Sequence, residues 1–136
     1  METDDFVLAC QKENNQYLEN KTTRDIRHEI ATSLDEFDKD EIPKYMNKLI
    51  DYRFVDEVDK LHIGKFTRWI ALTDEQMALS HGGFLTNIDY GDKGVLLSIK
   101  SYGAKHFRLL FDQLLVYQKL SSGEKLILMA ADFLEK

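Results

Sequence analysis

Apolar side chains change their spacing near residue 62 of this chain. Before that point they recur every three or four positions, the period of a helix with one buried face. Phe6, Val7, Cys10, Tyr17 and Leu18 fit one such face, with Thr3 as an N-cap and acidic residues in the first turn. Ile26, Ile30, Leu34 and Phe37 form a clearer stripe, which Thr22 or Thr23 would cap. Ile42, Tyr45, Met46, Leu49 and Ile50 make a third, with Pro43 early enough to be tolerated in a first turn. The outer faces of these segments are dense in Asp, Glu, Lys and Asn and read as solvated surface.

From Tyr52 the texture changes. YRFV (52–55) reads as a short extended segment, and DEVDKLHIG (56–64) as one helical turn ending at Gly64. Five strand-like runs follow, each bounded by turn residues: KFTRWIAL (65–72), GFLTNIDY (83–90), GVLLSIKS (94–101), HFRLLFD (106–112) and LLVYQK (114–119). The glycine-containing links at 91–94 and 102–105 have hairpin length. Alternation within the runs places Phe84, Ile88, Val95, Leu97, Ile99, Phe107, Leu109 and Phe111 in an interior. The tail SSGEKLILMAADFLE carries a capping box, Ser121 with Glu124, ahead of Leu126, Ile127, Ala130, Phe133 and Leu134 at helical spacing.

Five short, tightly linked antiparallel strands with one apolar face usually curl into a small barrel. The expected fold class is therefore α+β: a five-stranded antiparallel SH3-like or Sm-like β-barrel, with an N-terminal helical region and a C-terminal helix. An OB-type barrel is the alternative. The expected division is a helical arm or subdomain over 1–51 and the barrel with its C-terminal helix over 52–136.

Within the first run, Phe66, Arg68, Ile70 and Leu72 share one side, and Thr67, Trp69 and Ala71 share the other. A barrel of this size has a small core, and the helical stripes need apolar surface to cover. Trp69 is accordingly expected on the outside of the barrel, beneath the helices, together with Leu96, Leu110 and Leu115. A partner-binding surface is the other reading of Trp69. Arg68 is expected near the barrel's end, or paired with Asp56, Glu57 or Asp59.

A length of 136 residues and a hydrophobic fraction of 43% fit one globular domain, or one small domain with an arm. No apolar run approaches the roughly 20 residues that span a bilayer. The start, METDDFVLAC, is acidic and lacks the features of a signal peptide. The expected location is the cytoplasmic side of the cell, with no membrane partner. Cys10 is the single cysteine, which excludes a disulfide framework or a CxxC motif and reads as a small buried hydrophobe. The net charge of −6 is uneven: residues 1–61 carry 16 acidic and 9 basic side chains, residues 62–136 carry 8 and 9.

Catalytic signals are weak. His81-Gly82-Gly83 is like the HGG stretch of some esterase oxyanion holes, yet no GxSxG elbow accompanies it. The four histidines, at 28, 62, 81 and 106, lack metal-ligand spacing. Asp89, Asp92 and Asp112 fall at strand ends or turns, where aspartate serves conformation. GDKGVLL is not a phosphate loop. The expectation is a non-enzyme with no catalytic residues, cofactor or metal. The best surface signal is basic: Lys100, Lys105, His106 and Arg108 cluster at the 99–108 hairpin, with Tyr102 and Phe107 interleaved. With Arg68 and Trp69, the residues Lys100, Tyr102, Lys105, His106 and Arg108 form the candidate binding set.

The succession YRFVDEVDKL, GKFTRWIAL, LSHGGFLTNI, GVLLSIK and FDQLLVYQKLSSGEKLIL, over about residues 52–134, resembles a group of small proteins encoded by nucleocytoplasmic large DNA viruses. That group shows a "YRFVDEI"-like element, a "G-x-[YF]-x-RWI" strand, a "GG" turn and a "QKL-[ST]-x-x-E" helix start. The resemblance supplies no catalytic residues. It implies a virion or host-cytoplasm setting and a structural or scaffolding role, with Gly64, Arg68, Trp69, Gly82, Gly83 and Lys119 as framework residues. Two functions follow. The first is a structural or interaction module, a virion component or assembly adaptor with other viral proteins as partners. The alternative is a nucleic-acid-binding protein using the 99–108 hairpin.

Overall fold

Thr22 and Ser121 open two of the helices by the same device. In the computed structural model, which describes residue 18 and residues 21–103 and 105–134, both sit in reciprocal capping boxes. Thr22 Oγ1 accepts from the Asp25 N–H at 3.2 Å, and Asp25 Oδ2 accepts from the Thr22 N–H at 2.9 Å. These bonds satisfy donors that a helix start leaves orphaned. The expected helix over residues 4–18 lies outside the described residues except for Leu18, which is buried.

The described chain divides into two compact units, residues 1–53 with 120–136, and residues 54–119. The first unit holds the α-helices: α1 (Thr23–Ser33), α2 (Ile42–Lys48) and α3 (Ser122–Leu134). The stripe Ile26, Ile30, Leu34 and Phe37 is buried as its spacing predicts. Phe37 sets its ring edge-on to Tyr45 at 5.6 Å. Arg27 of α1 donates to the carbonyls of Met46 and Leu49, closing the C-terminal end of α2, and Thr23 binds Asp132 of α3. Ile127, Leu128 and Ala130 make the buried side of α3, while Phe133 and Leu134, expected on it, are exposed.

An antiparallel sheet of six strands starts at Tyr52, at the end of the first unit, and otherwise makes up the second: β1 (Tyr52–Val55), β2 (Phe66–Ala71), β3 (Gly83–Gly91), β4 (Gly94–Lys100), β5 (His106–Leu110) and β6 (Leu114–Lys119). The order is β1-β6-β2-β3-β4-β5, so the sheet is open, with β1 and β5 at its edges. This corrects the five-stranded closed barrel expected from sequence. The segment YRFV adds a sixth strand beside β6, and β5 ends after five residues in a 3₁₀ turn, Phe111–Gln113. A second 3₁₀ turn, Val58–Lys60, occupies the predicted helical turn before Gly64.

The core of this unit lies on one face of the sheet and contains Val55, Leu61, Trp69, Leu85, Leu97, Ile99, Phe111, Leu114 and Val116. Ile88, Val95, Phe107 and Leu109 pack against it. Two expectations are corrected. Phe84 is 40% exposed, and its neighbour Leu85 takes the interior position. The cause is a bulge: Leu85 pairs with Ile99 and Asn87 with Ser98, so Thr86 is an extra residue that reverses the alternation. Trp69 lies within this core at 7% exposure, its ring edge-on to Phe107 at 5.2 Å, and not on the outward face that carries Leu96 and Leu110. Both sides of β2 are buried, because Ile70 on the opposite face is also inaccessible.

Buried Gln118 and Thr67 help to fix the sheet. Gln118 of β6 accepts from the His62 N–H and donates to the His62 carbonyl, each at 2.9 Å, and donates to Thr67 Oγ1 at 3.0 Å. Its amide thus serves the strand-like backbone at His62 as a neighbouring strand would. Gly82, with φ of +94°, and Gly83 then pass so close to β2 and β4 that a Cβ would lie 2.7 Å from Phe66 Cε2 or from the Lys100 carbonyl. The HGG stretch is a packing requirement of the sheet.

Candidate functional site: a groove and an aromatic row on the sheet unit

Ser80 ties the β2–β3 loop down onto β2. It donates its N–H to the Trp69 carbonyl at 2.8 Å, its Oγ accepts from the Trp69 N–H at 2.9 Å, and its carbonyl accepts from Arg68 Nε at 2.8 Å. Between this loop and the turn after β4 runs a groove of about 510 Å³. Trp69, Ala71 and Phe107 give it an apolar floor, and Ala78, Tyr102 and Lys105 rise at its sides. Asp74, His81 and Ser101 add polar groups at its margin.

The opposite face of the sheet carries a second arrangement. Register sets Phe66 opposite Phe84, Phe84 opposite Lys100 and Lys100 opposite His106. Directly opposed residues of neighbouring strands share a face. The rings of Phe66 and Phe84 meet edge-on at 5.3 Å, and Tyr102 contacts both. Phe84, Lys100, Tyr102 and His106 are exposed.

The candidate binding set is therefore divided. Trp69 is a wall of the groove and mostly core. Tyr102 and Lys105 stand at the groove's side, and Tyr102 also joins the aromatic row. Lys100 and His106 belong to the row, and Arg108, 65% exposed, lies 3.6 Å from Asp89 on the same face. Arg68 is committed to the Ser80 carbonyl, and Asp56 pairs with Lys60. Phe107 points into the core side, so it does not interleave with the cations as the hairpin reading supposed. Phe66, Phe84, Ser80 and Gln118 were not singled out by their sequence. Only knowledge of the register and of the Thr86 bulge brings the two phenylalanines to the cations.

Among the described residues, no group of three or more His, Asp or Glu side chains is placed to hold a metal ion, and no helix is long and apolar enough to cross a membrane. The chain matches no protein-family model, and comparison with curated proteins and with solved structures gives no significant match.

Proposed function

We propose that this chain is a non-enzymatic interaction module, a virion component or assembly adaptor, which takes an apolar side chain of a viral protein partner in the groove beside Trp69. The groove carries the reading: an apolar floor with few polar groups at the margin is the form of a site that binds by burial and orients by hydrogen bonds. The order β6-β2-β3-β4-β5, with a 3₁₀ turn before β6, supports an SH3-like connectivity for the sheet. The resemblance over residues 52–134 supplies the viral setting.

The test places a charge in the groove. Ala78 is exposed at its side, so Ala78→Glu fills the groove with little cost to folding. Proteins that co-purify with the wild type from infected cells or particles, and that survive nuclease, should be lost with Ala78→Glu. Retention of the same partners would defeat the assignment of the groove. Partners lost on nuclease treatment would favour the second reading, a nucleic-acid-binding protein. One observation speaks for that reading: Lys100 and His106 stand exposed in the same row as Phe84.

A further inference from the structure

The aromatic row has features that core packing does not require. Tyr102, in the turn after β4, is 79% exposed and Phe84 of β3 is 40% exposed, whereas the large core side chains lie on the other face of the sheet. The three rings nevertheless hold one another. Tyr102 lies 6.2 Å from Phe66 at 33° and 5.9 Å from Phe84 at 81°, so two rings are roughly aligned and the third stands across them. A tyrosine placed this way in a short turn is presented with its orientation already set.

Two lysines and a histidine stand beside the rings. Lys100 and His106 continue the row, and Lys105 precedes His106 in the turn. The next positions on the same face bring Ser98 opposite Arg108. Among the described residues of these strands, the carboxylate on this face is Asp89, beyond that pair and beside Arg108. The net acidity of the chain is not carried by the sheet unit. Residues 54–119 carry eight acidic and eight basic side chains, and the excess of acid falls outside them.

We infer that this face is a stacking platform for single-stranded nucleic acid, with bases laid on Tyr102 and Phe84 and phosphates led along Lys100, Lys105 and His106. The inference rests on the nucleic-acid reading above and gives it a ligand class and contact residues. Aromatic rings beside cations recognise unpaired bases, since every base has a π-face and every nucleotide a phosphate. A sheet face with rings offers a duplex little, because its bases are stacked on each other and its major groove admits a helix or a two-stranded ribbon.

The experiment is an anisotropy titration of the full chain against a fluorescein-labelled oligothymidylate of about 12 nucleotides, within the site sizes of small single-strand binders. The wild type should bind at low salt and lose affinity steeply as salt rises. Tyr102→Ala or Phe84→Ala should weaken binding roughly fivefold to a hundredfold, the range of one lost base stack. Tyr102→Phe should bind like the wild type, because the ring and not the hydroxyl carries the contact. Tyr102→Ala should stay folded, with a single cooperative melting transition.

If Lys100→Ala with Lys105→Ala abolishes binding while both aromatic variants bind normally, the platform is overturned and the nucleic-acid reading stands. If the wild type does not bind the oligonucleotide at all, that reading itself fails. Equal affinity for a duplex of the same length would overturn the single-strand assignment. Self-association in gel filtration that Tyr102→Ala disperses would mean that a second copy of the chain occupies the face, and would also overturn it.

Discussion

Glu124 Oε2 accepts a hydrogen bond from Arg53 Nε at 2.9 Å, with both side chains almost fully buried. The other oxygen of the same carboxylate, Oε1, accepts from the Ser121 N–H at the start of α3. One side chain therefore caps a helix and neutralises a guanidinium from β1. Sequence periodicity marks Glu124 only as a capping residue. Its burial comes from the second role.

Removing either member leaves a buried charge without this partner, which costs about 3–5 kcal/mol when a buried pair is broken. Glu124→Ala also removes the cap and should be the more damaging, by about a further 1 kcal/mol. Arg53→Met combined with Glu124→Gln should be less destabilised than the two single changes added together. Urea unfolding of the four proteins measures the coupling. Additive single effects would show that the pair does not act as a unit.

Leu97 and Phe84 separate the two faces of the sheet. Leu97 is inaccessible in the core, and Leu97→Ala should cost roughly 2–5 kcal/mol as a core truncation. Phe84 is the larger residue, yet it lies on the opposite face, 40% exposed, and among the described residues its ring contacts are Phe66 and Tyr102. Phe84→Ala should cost much less than Leu97→Ala. A reversed order in thermal or chemical denaturation would mean that the bulge at Thr86 is misplaced.

These two residues also show what a sequence can and cannot convey. The capping box of Ser121 with Glu124 was legible, a local pair whose chemistry is complete within four residues, whereas for α1 the sequence left Thr22 and Thr23 as alternatives and did not mark Asp25. The strands were legible from alternation, but alternation holds only while the ladder is regular. One extra residue at Thr86 exchanges Phe84 for Leu85, and nothing in GFLTNIDY announces it. Trp69 was misplaced for a related reason. Both faces of β2 are buried, so parity could not choose between Trp69 and Ile70. At the candidate site, the cations of the hairpin were visible as a cluster. Their aromatic neighbours come from β2 and β3 and depend on a register that only the folded sheet defines.

Asp25 should titrate low. The Thr22 backbone N–H that its carboxylate accepts, and then the Thr22 hydroxyl, hold its pKa below the usual aspartate value, against a smaller opposing effect of burial. A carboxylate depressed in the folded state contributes stability above its unfolded pKa. That contribution is lost as pH falls through the folded value. An NMR titration should find the Asp25 midpoint below that of an ordinary aspartate. Thr22→Val should move it part of the way back, because the backbone hydrogen bond remains. A midpoint unaffected by Thr22→Val would remove the hydroxyl from the explanation.

Gln118 is the most exacting test of the sheet, because its amide is matched to three partners at once. Gln118→Leu keeps the volume but removes the bonds to the His62 N–H, the His62 carbonyl and Thr67 Oγ1. Each such bond is worth roughly 0.5–1.5 kcal/mol net, so the loss should be about 2–4 kcal/mol. Gln118→Glu distinguishes lost bonds from lost shape. It retains an acceptor for the His62 N–H, supplies no amide donor, and places a carboxylate at a fully buried position. Burial raises the pKa of such a carboxyl in the folded state, so the protonated form is favoured by folding. The deficit of Gln118→Glu relative to the wild type should therefore be largest above the raised pKa and shrink as pH falls, when the acid can again donate one hydrogen bond. Gln118→Leu should show no such recovery. If both variants lose the same stability at every pH, the site is sensed through packing and not through the amide, and the role given to His62 is wrong.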